Sequence, residues 1–422
     1  MFRRSISRTI QVFSRIAIAI FATSVLLTTQ AWGGAGSKVL YSFSGKPDGA
    51  NPYSSLIFDS AGNLYGTTEA GGAHGGGTVY ELTQSNGVWT ETILHSFSGT
   101  QDGWQPQSSL VFDKAGNLYG TTWSGGAFQN GTVYELSPNG DGTWTETVLY
   151  SFSCCNGDGF NPNSAPFVTA SGKIYGTTQW GGAATTCNAW NFGCGTFFEL
   201  THTPNGWKEA ILYSFFAAPD SSAPWGNLAR DKAGNFYDTA IWGGSQSYAG
   251  TVFQLSPATG GGWTENILYT LDQQTGIGVS GEIGGVVFDS SGNMYGASGG
   301  GVFELSPSSS GWTETTIFPF GNSPAPNNPY SGVAIERSSI LWGTTAWGGG
   351  GTCSVTGNGC GTLYRVQKIN GVWQENAIFH FRDQSKGWFP TSSPIIDSSG
   401  NVYGTTLNGG AFGFGVVYEV TP

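Results

Sequence analysis

A core motif that returns seven times, a composition rich in Gly and aromatic residues, and one repeat divided between the two ends of the chain predict an all-β fold. The architecture they specify is a seven-bladed β-propeller of four-stranded antiparallel blades. The motif reads GNLYGTT at Gly62 and Gly116, with variants at Gly172, Gly234, Gly292, Ser339 and Gly400. Its aromatic anchors, Tyr65, Tyr119, Tyr175, Tyr237, Tyr295, Trp342 and Tyr403, lie 47 to 62 residues apart. Such a period suits one four-stranded blade per unit. With 68 Gly and only 10% charged residues, the composition favours short strands and turns over helices.

The chain opens with Arg3, Arg4, Arg8 and Arg15, an apolar run from Ile16 to Leu27, and small residues at Ala31 and Gly33. This is the layout of a secretory signal peptide, too short to span a membrane. The domains expected are a signal peptide over residues 1–33 and a single propeller over residues 34–422. Without the four leader Arg, 12 basic residues face 27 acidic ones, and the formal charge moves from -11 to about -15. That balance argues against nucleic acid and anionic membranes as partners. No second apolar run of spanning length follows, and a secreted monomer, extracellular or periplasmic, is expected.

Within each unit the first strand ends in an Asp-x-x-Gly-Asn turn (LIFDSAGN, LVFDKAGN, VVFDSSGN), where Asp closes the turn and Gly takes positive φ. The Tyr-Gly-Thr-Thr strand is second. The third is GTVYEL at Gly77 and Gly131, with relatives at Gly195, Gly250, Gly301, Gly361 and Gly415; the fourth carries Trp-x-Glu and ends in ILYSF. The last unit stops after its third strand, at GVVYEVTP, while SKVLYSF at Ser37–Phe43 has a fourth strand's tail without its Trp-x-Glu head. The N-terminal strand is therefore expected to complete the last blade and close the ring.

These units resemble the GloVer tandem repeats of exported bacterial proteins, in which the Tyr-Gly-Thr-Thr core precedes Gly-Gly and Gly-Thr-Val-Tyr-Glu-Leu. The resemblance runs from about Ser37 to Pro422 and implies export, with no particular chemistry. Members of that family often end in a variable surface anchor; the last unit here runs straight to Pro422.

One face of such a propeller carries the loops joining strands two to three and strand four to the next blade. Here these hold every long insert, so binding is expected there. Trp123, Trp180, Trp242 and Trp347 fall just before the Gly-Gly of their loops, Trp190 lies inside a Cys-bearing loop, and Trp104, Trp225 and Trp388 lead into the next blade. Flat rings among Gly suit stacking on sugars or an aromatic-rich partner; the plainer reading is that each plugs its neighbouring blade. Unit five, YGASGGGVFEL, has lost its long loop, leaving a gap in the crown. The recurring outer-strand Trp89, Trp144, Trp207, Trp263, Trp312 and Trp373 are expected to pack between blades. Their companions, Glu91, Glu146, Glu209, Glu265, Glu314 and Glu375, are expected to guard exposed sheet edges.

Cys187 and Cys194, like Cys353 and Cys360, sit seven apart inside one loop, and a local disulfide is expected in each pair. For the adjacent Cys154 and Cys155, a vicinal disulfide and two thiols both stay open.

Chemistry is harder to place. His74, His95, His202 and His380 share no metal spacing, and His74 alone lies on the loop face. The Asp residues after strand four (Asp48, Asp102, Asp158, Asp220, Asp272, Asp383) precede Gly in several units, which reads as turn chemistry before it reads as a glycosidase carboxyl pair. Asn156, Asp158 and Asn161 offer oxygens to Ca²⁺ but lack the acid density of a dedicated loop; no metal and no cofactor is expected. Asp238 replaces the motif Gly in unit four and Arg230 replaces the Phe before its turn, an unusual acid and base that mark either a site or a pair. Three functions follow. The first is a non-catalytic binding module recognising a glycan or a surface protein through the Trp-rich face. The second is a carbohydrate-active lyase or hydrolase, and the third a structural matrix protein.

Overall fold

The computed structural model describes residues 36–422 except 155, 185–186, 188–191, 245–249, 272–283, 310, 322–327, 338 and 354–358. The expected leader lies outside the described residues.

Seven antiparallel blades form the ring, and the second strands of successive blades are Leu64–Thr68, Leu118–Thr122, Ile174–Thr178, Phe236–Gly243, Met294–Ser298, Ile340–Thr345 and Val402–Thr406. In the first blade Ile57–Phe58 is innermost, Thr78–Ser85 is third and Val88–Ser96 outermost. A register shift recurs between third and fourth strands of all seven blades, as between Val79 and Tyr80, and adds the local twist a blade requires. No helix among the described residues is long and apolar enough to cross a membrane.

The ring closes as expected. Gly36–Ser42 pairs antiparallel with Val416–Thr421 as the outer strand of the seventh blade, from Gly36 opposite Thr421 to Ser42 opposite Val416. The Phe43 N–H then donates to Gly415 O at 3.1 Å, the same bond that Phe97 makes to Gly77 and Phe152 to Gly131 inside continuous blades. Fully buried, Phe43 packs edge-on to Tyr80 of the first blade, in a cluster with Leu40, Leu56, Leu64 and Val417.

Each residue of the core motif has a separate physical task, visible in Leu64–Thr68. Leu64 fills the seam with the seventh blade. The Tyr65 hydroxyl lies 2.7 Å from Glu81 and 3.4 Å from Asp59, whose other oxygen accepts the N–H groups of Ala61 and Asn63 and so holds the turn. Gly66 must lack a Cβ, because one would sit 2.5 Å from the Tyr80 hydroxyl. Thr67 donates to the Ser108 carbonyl of the next blade (3.2 Å) while its N–H reaches Ser54 Oγ. Thr68 Oγ1 meets Thr78 Oγ1 at 2.8 Å and ties the second strand to the third.

The Thr67 bond is one link of a belt around the axis. Thr121 reaches Ser164 O (3.1 Å), Thr239 reaches Gly284 O (3.4 Å), Thr344 reaches Ser392 O (2.9 Å) and Thr405 reaches Ser54 O (3.2 Å) across the closure.

The donated strand carries testable weight. Phe43→Ala is expected to cost about 3–5 kcal/mol, as for a buried aromatic left as a cavity, whereas Phe128→Ala on an exposed loop tip changes stability little; denaturant unfolding of the two variants checks this.

Candidate functional site

Chain entry into each inner strand repeats one geometry. Asn51, Gln105, Asn161, Ala223, Asn328 and Phe389 take left-handed φ between 52° and 63°, each directly before a Pro. For Gln105 the N–H donates to Gly76 O of the preceding blade, and its carbonyl accepts from Trp123 N–H of its own blade. The residue after the Pro is thereby held at the loop-face mouth of the axial channel, and it differs from blade to blade: Tyr53, Gln107, Asn163, Trp225, Tyr330 and Thr391. The equivalent Ile283 lies outside the described residues. These six line a small vestibule of about 60 Å³. Behind it runs a larger axial cavity of about 520 Å³ walled by Ile57, Val111, Phe167, Val287 and Ile395. The two meet at a waist of Ser55, Ser109, Asn227, Gly285, Gly332 and Ser393.

Amide side chains concentrate over the first three blades. Gln105 Nε2 donates to Glu69 Oε1 at 3.1 Å, and Ser124 donates to Gln105 Oε1 at 3.4 Å. Asn161 Nδ2 donates to the Trp123 carbonyl at 2.6 Å. Asn163 is only 9% exposed, yet among the described residues neither end of its amide has a hydrogen-bond partner, and Gln179 Oε1 is likewise unpartnered. Leaving such groups unsatisfied costs about 1–3 kcal/mol each. Burial pushes the Glu69 carboxyl above its ordinary range, against donation from Gln107 and Gln105.

All but one of the Trp residues expected at the loop face have a described place. Trp123 and Trp225 meet edge-on, ring centres 5.9 Å apart, beside this amide group. Trp180 is buried against Trp242 at 5.4 Å. Trp104 covers Gly76 and Gly99, where a Cβ would lie 2.8 and 2.5 Å from its ring. Trp347 and Trp388 gather round Phe389, at 4.7 and 6.2 Å, with Tyr330 at 5.2 Å. Trp190 lies outside the described residues. The described loop-face Trp rings are all at least half-buried. Among the described residues, the large apolar groups that do stand exposed on these loops are Phe128, Phe192, Phe216, Phe412 and Phe414, residues sequence reasoning passed over although GGAF occurs in two units.

Both loop disulfides form, Cys187–Cys194 and Cys353–Cys360, with Cα atoms 5.2 and 5.1 Å apart. The carbonyls of Cys194 and Cys360 accept the N–H groups of Ala223 and Phe389, so each disulfide sits where its loop grips the next blade's entry. Cys155 lies outside the described residues.

Asp238 and Arg230 are not brought together. Arg230 lies over the rings of Phe236 and Phe167, at 5.3 and 5.9 Å. Asp238 is fully buried, and its Oδ1 accepts the Thr239 N–H at 2.7 Å, the bond that Ser54 and Ser108 provide in the first two blades. The fourth blade has Gly226 at that Ser position, and a Cβ there would collide with Asp238 Oδ1. Burial drives the Asp238 carboxyl up to about 8, and its Oδ2 has no partner among the described residues.

The sequence profile of the Gloeobacter/Verrucomicrobia repeat family matches residues 26–190 and 147–355. The chain belongs to this family. No curated protein matches it in sequence. Among solved structures, a streptogramin B lyase superposes with a TM-score of 0.54 at 15% identity, covering 93% of this chain and 99% of that one. Virginiamycin B lyase from Staphylococcus aureus gives 0.51 at 14% identity, with 92% and 99% covered, and an ulvan lyase gives 0.51 at 11%, with 91% and 95%. At these identities the likeness is one of fold.

In this member of the repeat family the outer-strand acids do not stand at an open edge. Glu91 is half-buried and shares the seam with Asp48, which also accepts from Ser44 N–H and the Tyr41 hydroxyl. Glu209 shares its seam with Asp158 in the same way, and Glu146 lies near Asp102. The sheet edge shows Thr90 and Thr92 to solvent instead, because strand alternation turns every second residue into the seam. Burial, then the neighbouring Asp, pushes Glu91 and Glu209 up to about 8 and Glu146 up to about 7. The Asp ring therefore serves turns and seams, as the Asp-Gly spacing suggested for Asp48, Asp102 and Asp158; Asp272 lies outside the described residues.

Because the folded state holds these protons more tightly than the unfolded chain, their stabilisation is complete below the ordinary carboxylate range and is lost as pH rises through about 7–8. Thermal unfolding of the parent is expected to move to lower temperature from pH 5 to pH 9. The combined Glu91→Gln, Glu146→Gln, Glu209→Gln and Asp238→Asn variant should show a flatter profile over that window; an equal slope would remove these groups as its source.

Proposed function

We propose that the protein is an exported, non-catalytic propeller that binds a saccharide at the loop-face mouth of its axial channel. The carrying observation is Asn163, nine-tenths buried at the vestibule with both ends of its amide unpartnered among the described residues. A ligand hydroxyl both donates and accepts, so it satisfies both ends at once. Gln107, Gln105 and Gln179 extend the same chemistry, and the paired rings of Trp123 and Trp225 offer an apolar flank of the kind sugar C–H faces pack against. Binding is favoured over cleavage because the described residues lining the vestibule include no carboxyl group, and Glu69 behind them stands beside the amides of Gln105 and Gln107. Export rests on the leader read at residues 1–33, and the two disulfides fit an oxidising compartment.

A glycan array of the oxidised protein tests this, run beside Trp225→Ala and Gln107→Ala. Recognition of one saccharide class, weakened roughly tenfold or more by each substitution, is expected for a site made of such contacts. Hits are then incubated with the protein, and new chain ends would replace the binding reading with an enzymatic one. A blank array from folded protein would shift the reading to a protein partner, for which the exposed Phe128, Phe192, Phe412 and Phe414 form the available apolar crown.

A further inference from the structure

We propose that Glu69 makes the vestibule selective for saccharides bearing a free ammonium group, that is, amino sugars without N-acylation; this rests on the saccharide reading above. Glu69 directly follows the second strand of the first blade. At the equivalent position the other blades carry Trp123, Gln179, Ile241, Gly299, Ala346 and Leu407, so the acid does not belong to the repeat; it stands directly behind Gln107, which lines the vestibule. Every structural task of the repeat is performed in those blades without it.

Its surroundings leave the charge uncompensated. Glu69 is half-buried, and its contacts are with the neutral amides Gln105 and Gln107. The ion pairs among the described residues are Lys173 with Glu199, Arg337 with Glu336 and, when protonated, His95 with Asp102; none involves Glu69. A partly desolvated carboxylate held by neutral donors gains most from a cation that arrives with the ligand. The chain's net negative charge favours the approach of such a ligand and disfavours uronates and sulfated sugars.

The amides fit the remainder of the same ligand. Gln107 lines the vestibule next to the unpartnered Asn163, with the Trp123–Trp225 pair beside them. An amino sugar set against this wall would place its ammonium at Glu69, its hydroxyls at Gln107 and Asn163, and its C–H face toward a Trp ring. An N-acetylated sugar would keep the hydroxyl and ring contacts and lose the charge-assisted bond, while bringing its acyl group against a desolvated carboxylate.

Titration calorimetry distinguishes these cases with three tetrasaccharides: β-1,4-linked glucosamine, β-1,4-linked N-acetylglucosamine and cellotetraose, at pH 6 in low and in high salt. The glucosamine oligomer is expected to bind roughly tenfold tighter than the other two, with the advantage shrinking in high salt. Glu69→Gln, close to isosteric and able to keep a bond to Gln105, is expected to abolish the advantage while leaving cellotetraose binding within about twofold. Equal binding of all three by the parent protein overturns the amine selection and leaves the saccharide site standing. No binding of any of them, with mouth variants equally silent on the array, removes both. An advantage that survives in Glu69→Gln, or that ignores salt in the parent, also overturns the role given to Glu69; the salt comparison needs no variant and so holds even where the substitution disturbs folding.

Discussion

The hydrogen bond from the Thr67 hydroxyl to the Ser108 carbonyl, with its counterparts round the axis, is the constraint on which the rest of the molecule depends. A propeller blade buries its faces only against its neighbours, so apolar packing alone lets blades slide and tilt. A buried hydroxyl set between a Ser of its own blade and a carbonyl of the next does not allow that freedom, since losing the inter-blade contact leaves the carbonyl unsatisfied in a low dielectric. In the five blades where it is described, the belt therefore sets how far the inner strand stands from the axis. Gly66 then has to lack a side chain for Tyr80 to close over it, and Thr68 has to reach Thr78. The repeat is strict where these bonds are made and loose elsewhere.

The fourth blade shows the constraint from the other side. Its Ser position is Gly226, which cannot cap the Thr239 N–H, and Asp238 supplies the missing acceptor from the motif's own Gly position. Two departures that look independent in sequence are one compensated change. A carboxyl is a poor exchange for a hydroxyl at a fully buried site: one oxygen takes the bond and the other is stranded, and the group keeps its proton to a much higher pH than an exposed Asp. Arg230 takes no part, because its place before the turn puts it over the Phe236 and Phe167 rings.

Much of this was legible in the chain. A truncated repeat at Ser37 has one physical resolution, pairing with the unit that lacks its fourth strand, and the structure realises it. Both loop disulfides could be read from equal spacing in equivalent loops. Glu91 and its companions were harder, because period-two alternation decides which strand residues face the seam, and the phase of that alternation past a bulge is not visible in sequence. Exposure of the Trp residues was misleading for a related reason. A large ring beside Gly-Gly covers the glycines, as Trp104 does, and leaves Phe at the loop tips in water. The mouth residues escaped notice because their signal is failure to repeat: after each left-handed residue and its Pro, one position changes in every blade.

That failure to repeat follows from the same geometry. The left-handed residue spends both backbone groups on neighbouring loops, and the Pro after it fixes the next φ, so the mouth residue's backbone is placed before its side chain is chosen. On the inner side the belt holds the following Ser or Gly. A position clamped at both ends can carry Tyr, Gln, Asn, Trp or Thr without altering the ring, and a side chain there is pre-organised at little cost in stability. In a fold whose core positions are bound to the repeat, difference accumulates where the backbone does not depend on the side chain. The axis mouth meets that condition in the six described blades that carry the Pro, which is why a molecule built from near-copies can present an asymmetric site at its centre.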